Sequence, residues 1–442
     1  MNAQIFVIKH WFSLTAKVET INSASEPFCS GVLRALWGFT GDMRPWGEWV
    51  KRQILAIQLI DYILRGVAQV MFVNNSLSGL LIVGGLFLQN PWCALNGLLG
   101  TAISTVSAIA LRQNRDAVSA GLHGYNGSLV GILMAVFSAK GDWYLWLFIP
   151  NVLLSMLCPV VSSALSAITS KWDVPIFTLP FNILICLHSS TMGAAHPFFP
   201  QVCCQFQAFH VQVFLSVPVG VGQVFGCDNP WTGGVILLAL LLCSPTICFH
   251  AILGSIAGLC TGLALAAPPA DVYSGLWGYN SVLSCIAIGG VFYALTWQTH
   301  ILALTCAFFC AYVSSATSKL MSVLSLPACT WPFCLSTLIF LLLSSENPAL
   351  CRLPLAAVSY PEENRRYLRQ LKRQFCERKC FSDARGQRRM GRLVSADRKN
   401  RKSNYYGLQQ QKTTTGETPV REKLKKKEET EATIHRFTII KQ

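Results

Sequence analysis

The chain has 442 residues and a mean hydropathy of +0.42, with 52% of residues hydrophobic and only 13% charged. That is about half the charged share of a soluble domain, too little polar surface to coat a water-exposed globule of this size. The net charge of +15 belongs to one end: residues 1–350 carry 12 Lys+Arg against 11 Asp+Glu, whereas residues 351–442 carry 24 against 10. The basic balance therefore describes a tail and excludes reading the whole chain as a nucleic-acid binder.

In chain order, residues 1–50 hold scattered charges and no apolar stretch with a cleavage site, so no secretory signal is expected and the segment reads as cytoplasmic. From Arg52 to Glu346 charged residues are sparse. Gly79 to Leu111, Val174 to Cys227, Asn229 to Pro269, Val272 to Ser318 and Leu320 to Ser345 contain none. A spanning helix needs roughly 20 apolar residues, so several of these stretches hold two, and about ten spans are expected. Lys51–Arg52 and the basic tail put both ends on the cytoplasmic side by the positive-inside rule. The 18 cysteines mostly lie within apolar segments, where they act as small hydrophobes. Cys203–Cys204 falls in an expected outer loop and is open to oxidation. Cys376 and Cys380 lack a second pair at zinc spacing, so no metal site is expected.

An internal repeat organises the apolar region. GVAQVMFVNNSLSG near Gly66 returns as GVGQVFGCDNPWTGG near Gly220, aligning Gln69 with Gln223, Asn75 with Asn229 and Gly79 with Gly233, each 154 positions apart. GLHGYNGSLVG returns as GLWGYNSVLSC, aligning Tyr125 with Tyr279 and Leu129 with Leu283 at the same offset. VPIFTLPFN returns as LPACTWPFC, aligning Thr178 with Thr330 at 152. The expected organisation is a cytoplasmic segment (1–50), a transmembrane repeat (51–200), a second repeat (210–347) and a largely disordered basic tail (348–442). Five spans per repeat would invert the second relative to the first and place the substrate between them, near the midplane. The fold class expected is all-α integral membrane, with two inverted homologous repeats, each carrying a pore half-helix.

Each repeated motif suits a neutral solute. Gln69 and Gln223 lie in short runs too interrupted for full spans and offer an uncharged acceptor and donor; hydrogen bonding between neighbouring helices fits them equally. Tyr125 with Leu129, and Tyr279 with Leu283, share a helix face at i, i+4. Two such pairs facing each other would make flat slots for a planar solute, and ordinary core packing is the alternative. Thr178 and Thr330 each have prolines at −3 and +2, which break the helical ladder and expose carbonyls beside a hydroxyl. That row of oxygens suits a solute rich in N–H donors, although a threonine back-bonded to its own helix is also consistent.

Absences narrow the choice further. Asp61 and Arg65 fit a structural pair near the membrane surface, since the equivalent positions in the second repeat are Leu215 and Val219. His123 near the first slot is replaced by Trp277 in the second. Ion- and proton-coupled carriers usually keep intramembrane ionisable groups, so passive movement of a neutral solute is expected. Neither a P-loop nor an HExxH motif is present; no enzyme activity and no cofactor are expected. A pore mainly for water or ammonia, or a scaffold whose basic tail docks partners, also fits composition alone.

The chain resembles the vertebrate facilitative urea transporters, the kidney and red-cell family. The matching residues include LRG at 64–66, QNPW at 89–92, GLHGYNGSLVG at 121–131, SSALSAITSKWDVPIFTLPFN at 162–182, VPVGVGQVFGCDNPWTGG at 217–234, ALTWQTH at 294–300 and YPEEN at 360–364. The resemblance covers about residues 40–365. It implies urea as transported solute, membrane lipid as surroundings, a plasma-membrane location, and a homotrimer with one pore per protomer. It also implies slots built from Tyr125 with Leu129 and Tyr279 with Leu283, a constriction at Thr178 and Thr330, and pore half-helices carrying Gln69 and Gln223. The chain departs from the family pattern where Ser76, in place of the usual Pro, follows Asn75. Residues 1–40 and those beyond about Glu377 match nothing in the family.

Overall fold

The computed structural model describes residues 39–138, 142–192, 214–345, 347, 349–370 and 373. Most of the N-terminal segment, Cys203–Cys204, Cys376, Cys380 and the basic tail beyond residue 373 lie outside the described residues. Residues 1–368 form one unit and residues 369–442 another; the architecture below is that of the first.

Helices dominate. Helix α1 (Arg44–Val50) precedes α2 (Leu55–Gln69), α3 (Ser76–Gln89), α4 (Pro91–Ala110), α5 (Arg115–Ser119), α6 (Tyr125–Val136), α7 (Phe148–Thr169) and α8 (Leu179–Met192). The second half runs α9 (Ser216–Gly222), α10 (Pro230–Cys243), α11 (Pro245–Ala264), α12 (Pro269–Tyr273), α13 (Tyr279–Ile286), α14 (Trp297–Val323) and α15 (Trp331–Leu341). Among the described residues there is no strand, only an isolated bridge between Tyr293 and Arg352. Helices α4, α5 and α6 start at Pro91, Arg115 and Tyr125. Their counterparts α11, α12 and α13 start 154 positions later.

Equivalent caps start equivalent helices. Asn75 Oδ1 accepts from the Ser78 N–H at the start of α3, and Asn229 Oδ1 from the Trp231 N–H at the start of α10. Asn90 and Ser244 do the same for α4 and α11, each followed by a proline in the first turn. A side-chain acceptor there satisfies N–H groups that have no partner within the helix, and proline removes one of them.

Length separates two classes of helix. By length and apolarity, Pro91–Ala110, Leu145–Trp172, Pro245–Ala264 and Trp297–Val323 can each cross a membrane. The pair Ser216–Phe225 and Pro230–Cys243, bent by 77°, adds one broken or re-entrant span. Helices Ser76–Gln89, Tyr125–Val136 and Trp331–Leu341 are apolar but shorter. A 14-residue helix is about 21 Å long, short of the roughly 30 Å hydrocarbon core. Among the described residues, four helices, or five spans with the bent pair, meet this length measure on their own, and the shorter apolar helices lie beside them.

Helix α3 packs on α10, and the contact joins the two halves. Ser78 Oγ donates to the Ala239 carbonyl at 2.7 Å, and Gln89 Nε2 to Asp228 Oδ1 at 2.9 Å. Within each half, Gly79 and Gly233 let α3 and α10 close on the preceding helix. A Cβ at Gly79 would sit 2.0 Å from the Leu64 carbonyl oxygen, and one at Gly233 would sit 1.9 Å from that of Pro218. Asp61 and Arg65 do pair, at 2.8 Å, but both are buried. Arg65 also donates to the carbonyls of Asp42 and Asn74, so the pair anchors the turn that follows Gln69.

Candidate solute pathway

Each repeated motif breaks its helix at a polar residue, and the breaks converge. Helix α2 stops at Gln69; the 3-10 turn after α9 starts at Gln223. The left-handed residues that reverse the chain are Phe72 (φ 61°) and Gly226 (φ 67°), 154 positions apart. Gln69 Nε2 donates to the Ala120 carbonyl at 2.9 Å, and Gln223 Nε2 to the Ser274 carbonyl at 2.7 Å, again at equivalent positions. Each glutamine ties its amide nitrogen to the scaffold through one N–H, which fixes the side chain and leaves its oxygen as an acceptor on offer.

The prolines around Thr178 and Thr330 leave 174–177 and 326–329 outside helices. Phe177 (φ 48°) and Cys329 (φ 42°), each just before the threonine, take the left-handed conformation that non-glycine residues rarely adopt. Their carbonyls are pinned by the tyrosines of the GYN motifs: Tyr125 Oη donates to Phe177 O at 2.5 Å, and Tyr279 Oη to Cys329 O at 2.6 Å. The two motifs of each half, far apart in sequence, thus form one unit.

Two cavities meet at the threonines. The first, about 430 Å³, is lined by Gln69, Tyr125 and Thr178 together with Phe72, Phe177, Phe292 and Phe333. The second, about 800 Å³, is lined by Gln223, Tyr279 and Thr330 together with Leu129, Phe181 and Trp277. Between them Thr178 Oγ1 and Thr330 Oγ1 are 2.6 Å apart. Asn182 Oδ1 accepts from both the N–H and the hydroxyl of Thr330 at 3.1 Å. Cys334 Sγ lies 3.2 Å from Thr178 Oγ1 and 3.6 Å from Asn182 Nδ2.

Of the residues singled out from sequence, Gln69, Tyr125 and Thr178 share the first cavity, and Gln223, Tyr279, Thr330 and Leu129 the second. The expected pairing of Tyr125 with Leu129 as one slot is not what the helix does. Tyr125 lines one cavity and Leu129, one turn on and buried, lines the other. Leu283 is buried and lines neither cavity. Sequence reasoning missed the aromatic cage. Phe72, Phe177, Phe292 and Phe333 meet edge to face with centroids 4.9–6.2 Å apart, the usual aromatic preference. It also missed Asn182 and Cys334, which close the polar cluster. The signal for those two was available: both stand four residues after the motif threonine.

Among the described residues no group of three or more His, Cys, Asp or Glu is placed to hold a metal ion. Next to the threonines the cavity walls are mainly aromatic and aliphatic, with a few fixed uncharged acceptors, while Asp42 and His123 also line the first cavity and Asp271 and Lys319 the second.

Comparison with known proteins agrees with this geometry. Residues 60–345 match the family model described as urea transporter. The chain is 52% identical over 351 residues to urea transporter 1 of Ovis aries, covering 77% of this chain and 91% of the relative. It is 53% identical over 351 residues to urea transporter 1 of Rattus norvegicus, with the same coverage. To urea transporter 1 of Mus musculus it is 53% identical over 348 residues, covering 76% of this chain and 91% of the relative. With cavities, broken helices and paired threonines inside the matched span, the chain belongs to the urea transporter family.

Proposed function

We propose that the chain transports urea across the membrane passively, as a channel-like path through the two cavities and past Thr178 and Thr330. Transport of urea is the activity of the family to which the chain belongs. The observation that carries the passive reading is the closed threonine contact, which joins two cavities lined mainly by uncharged groups. Urea sheds water at the first cavity, lies flat among the aromatic rings, and exchanges water for the oxygens of Gln69, Thr178, Thr330 and Gln223 in turn. A buried amide without partners costs roughly 2–7 kcal/mol, so each position must offer a replacement hydrogen bond. Each must also hold urea weakly enough to release it. The proposed site residues are Gln69, Tyr125, Thr178, Gln223, Tyr279 and Thr330, with Leu129 as an aliphatic wall and Leu283, buried at the equivalent position, as its counterpart in the second repeat.

The test is uptake of labelled urea by expressing cells, with sodium removed and the proton gradient collapsed. A passive path predicts unchanged uptake in either condition. Dependence on either gradient would replace it with a coupled carrier.

We further infer a plasma-membrane homotrimer with one path per protomer, both termini cytoplasmic, and two inverted repeats over residues 51–200 and 210–347. The charge at Lys51–Arg52 and in the tail supports the orientation. The recurrence of helix starts at a fixed offset supports the repeats. Light scattering of the purified protein tests the trimer, and accessibility of tags at either terminus tests the orientation.

A further inference from the structure

The polar cluster between the cavities has a direction. A backbone N–H can only donate, so the atom of Asn182 facing the Thr330 N–H is its oxygen. The same oxygen accepts the Thr330 hydroxyl proton. A hydroxyl has one proton. Thr330, having given its own to Asn182, meets Thr178 as an acceptor, and Thr178 donates to Thr330 across 2.6 Å. Thr178 has then spent its proton too, so the Cys334 thiol donates to Thr178 across 3.2 Å. Asn182 Nδ2 points back at Cys334 Sγ at 3.6 Å and completes the circuit. All four side chains are buried, and all four lie on segments outside either tyrosine motif.

We infer that Asn182 and Cys334 are positioning residues that set selectivity: they hold the protons of Thr178 and Thr330 inside a one-way ring, so that the constriction presents only acceptors to the solute. Each threonine oxygen keeps one lone pair for the path and no proton. A solute with four N–H donors, urea, is favoured over a planar amide of similar size with two, such as acetamide. The two positions are equivalent in the repeat, 152 apart, yet one is an amide and the other a thiol. The difference has a use: an amide supplies both the acceptor that starts the ring and the donor that closes it, while a thiol passes one proton on. Two asparagines would leave surplus donors in the constriction. This inference rests on the proposed urea path.

The test compares urea and acetamide permeability in proteoliposomes containing the full chain, for wild type, C334S, C334A and N182L. Serine keeps a donor and an acceptor at 334, so C334S should keep the wild-type urea-to-acetamide ratio. Alanine opens the ring at one link and should lower the ratio about threefold, the scale of one net hydrogen bond. Leucine frees the Thr330 proton and should lower the ratio about tenfold, since a buried donor is also left unsatisfied. A general packing defect would slow both solutes together and leave the ratio unchanged. If N182L fails to fold, the contrast between C334A and C334S, which differ by one hydroxyl, still decides. Wild type that conducts urea with unaltered ratios in C334A and N182L would overturn the ring. Wild type that conducts no urea would overturn the path itself and the ring with it.

Discussion

Thr178 and Thr330, 152 positions apart in the chain, stand with their hydroxyl oxygens 2.6 Å apart where the two cavities meet. Each occupies the same place in its half, after a left-handed residue whose carbonyl is held by a tyrosine. Replacing both by valine keeps the shape and removes both hydroxyls. Urea flux should fall at least tenfold if each lost hydrogen bond is worth about 1 kcal/mol in the transition state. Delivery to the cell surface should be unchanged. Surface labelling alongside flux separates the two, and wild-type flux in the double variant would remove the threonines from the path.

The close approach at Gly79 and Gly233 predicts a sharp contrast with neighbouring glycines. Gly79→Ala and Gly233→Ala place a methyl about 2 Å from a backbone carbonyl oxygen, which cannot move without shifting a helix. Overpacking of this kind costs roughly 1–3 kcal/mol or more. Gly84 and Gly234 have nothing within 4 Å of an added Cβ, so alanine there should be tolerated. Thermal melting of the four detergent-solubilised variants checks both halves of the statement.

The buried pair Asp61–Arg65 carries more than its mutual contact. Trp46 Nε1 donates to Asp61 at 2.8 Å, the Ser76 hydroxyl donates to the same carboxylate oxygen, and Arg65 donates to Asn74 Oδ1 at 2.7 Å. Ser76, the first residue of α3, thereby ties the start of that helix to the buried pair. Arg65→Leu should cost about 3–5 kcal/mol by stranding the carboxylate. The double replacement Asp61→Leu with Arg65→Leu should recover part of that loss. A double variant no more stable than the single would contradict the pairing.

Asp42, in the loop before α1, accepts from the Ser359 hydroxyl at 2.8 Å. Burial is the main cause that pushes its carboxyl up to about 6, opposed by the Ser359 hydrogen bond and by Arg44 and Arg65, and reinforced by Glu363. An unfolded Asp titrates near 3.9, so across that interval the folded chain holds a proton that the unfolded chain has released. Stability from this group is present at low pH and is lost as pH rises from about 4 to about 6, on the order of 2 kcal/mol. Asp42→Asn should therefore be more stable than wild type at pH 7.5 and equal to it at pH 4. Melting curves at the two pH values test the sign.

Much of this was legible in the sequence because the chain writes its site twice. A glutamine at a helix break, a tyrosine opening a short helix and a threonine between prolines each recur at a fixed offset, and all six of these residues line a cavity, three in each. Leu283 is buried and lines neither cavity, since i, i+4 spacing fixes a shared face without saying what that face meets. Tyr125 and Leu129 were joined into one slot for the same reason, although one helical turn is enough to carry a wall from one cavity to the next. The phenylalanine cage was hard to see because it is repeated only in part: Phe333 aligns with Phe181, but Phe72 aligns with Gly226 and Phe177 with Cys329. Asn182 and Cys334 could have been found, since both follow the motif threonine by four residues, but a change of residue type between the copies hid their equivalence. Apolar length alone does not fix the number of spans, because a broken apolar segment has the composition of a span without the length of a single straight helix.

The most direct measurement is stopped-flow light scattering on proteoliposomes under an inward urea gradient, with and without the protein. Fast urea entry, independent of sodium and of any proton gradient and abolished in large part by T178V with T330V, is the result the account predicts. Well-folded protein that adds nothing to the lipid's own leak would contradict it.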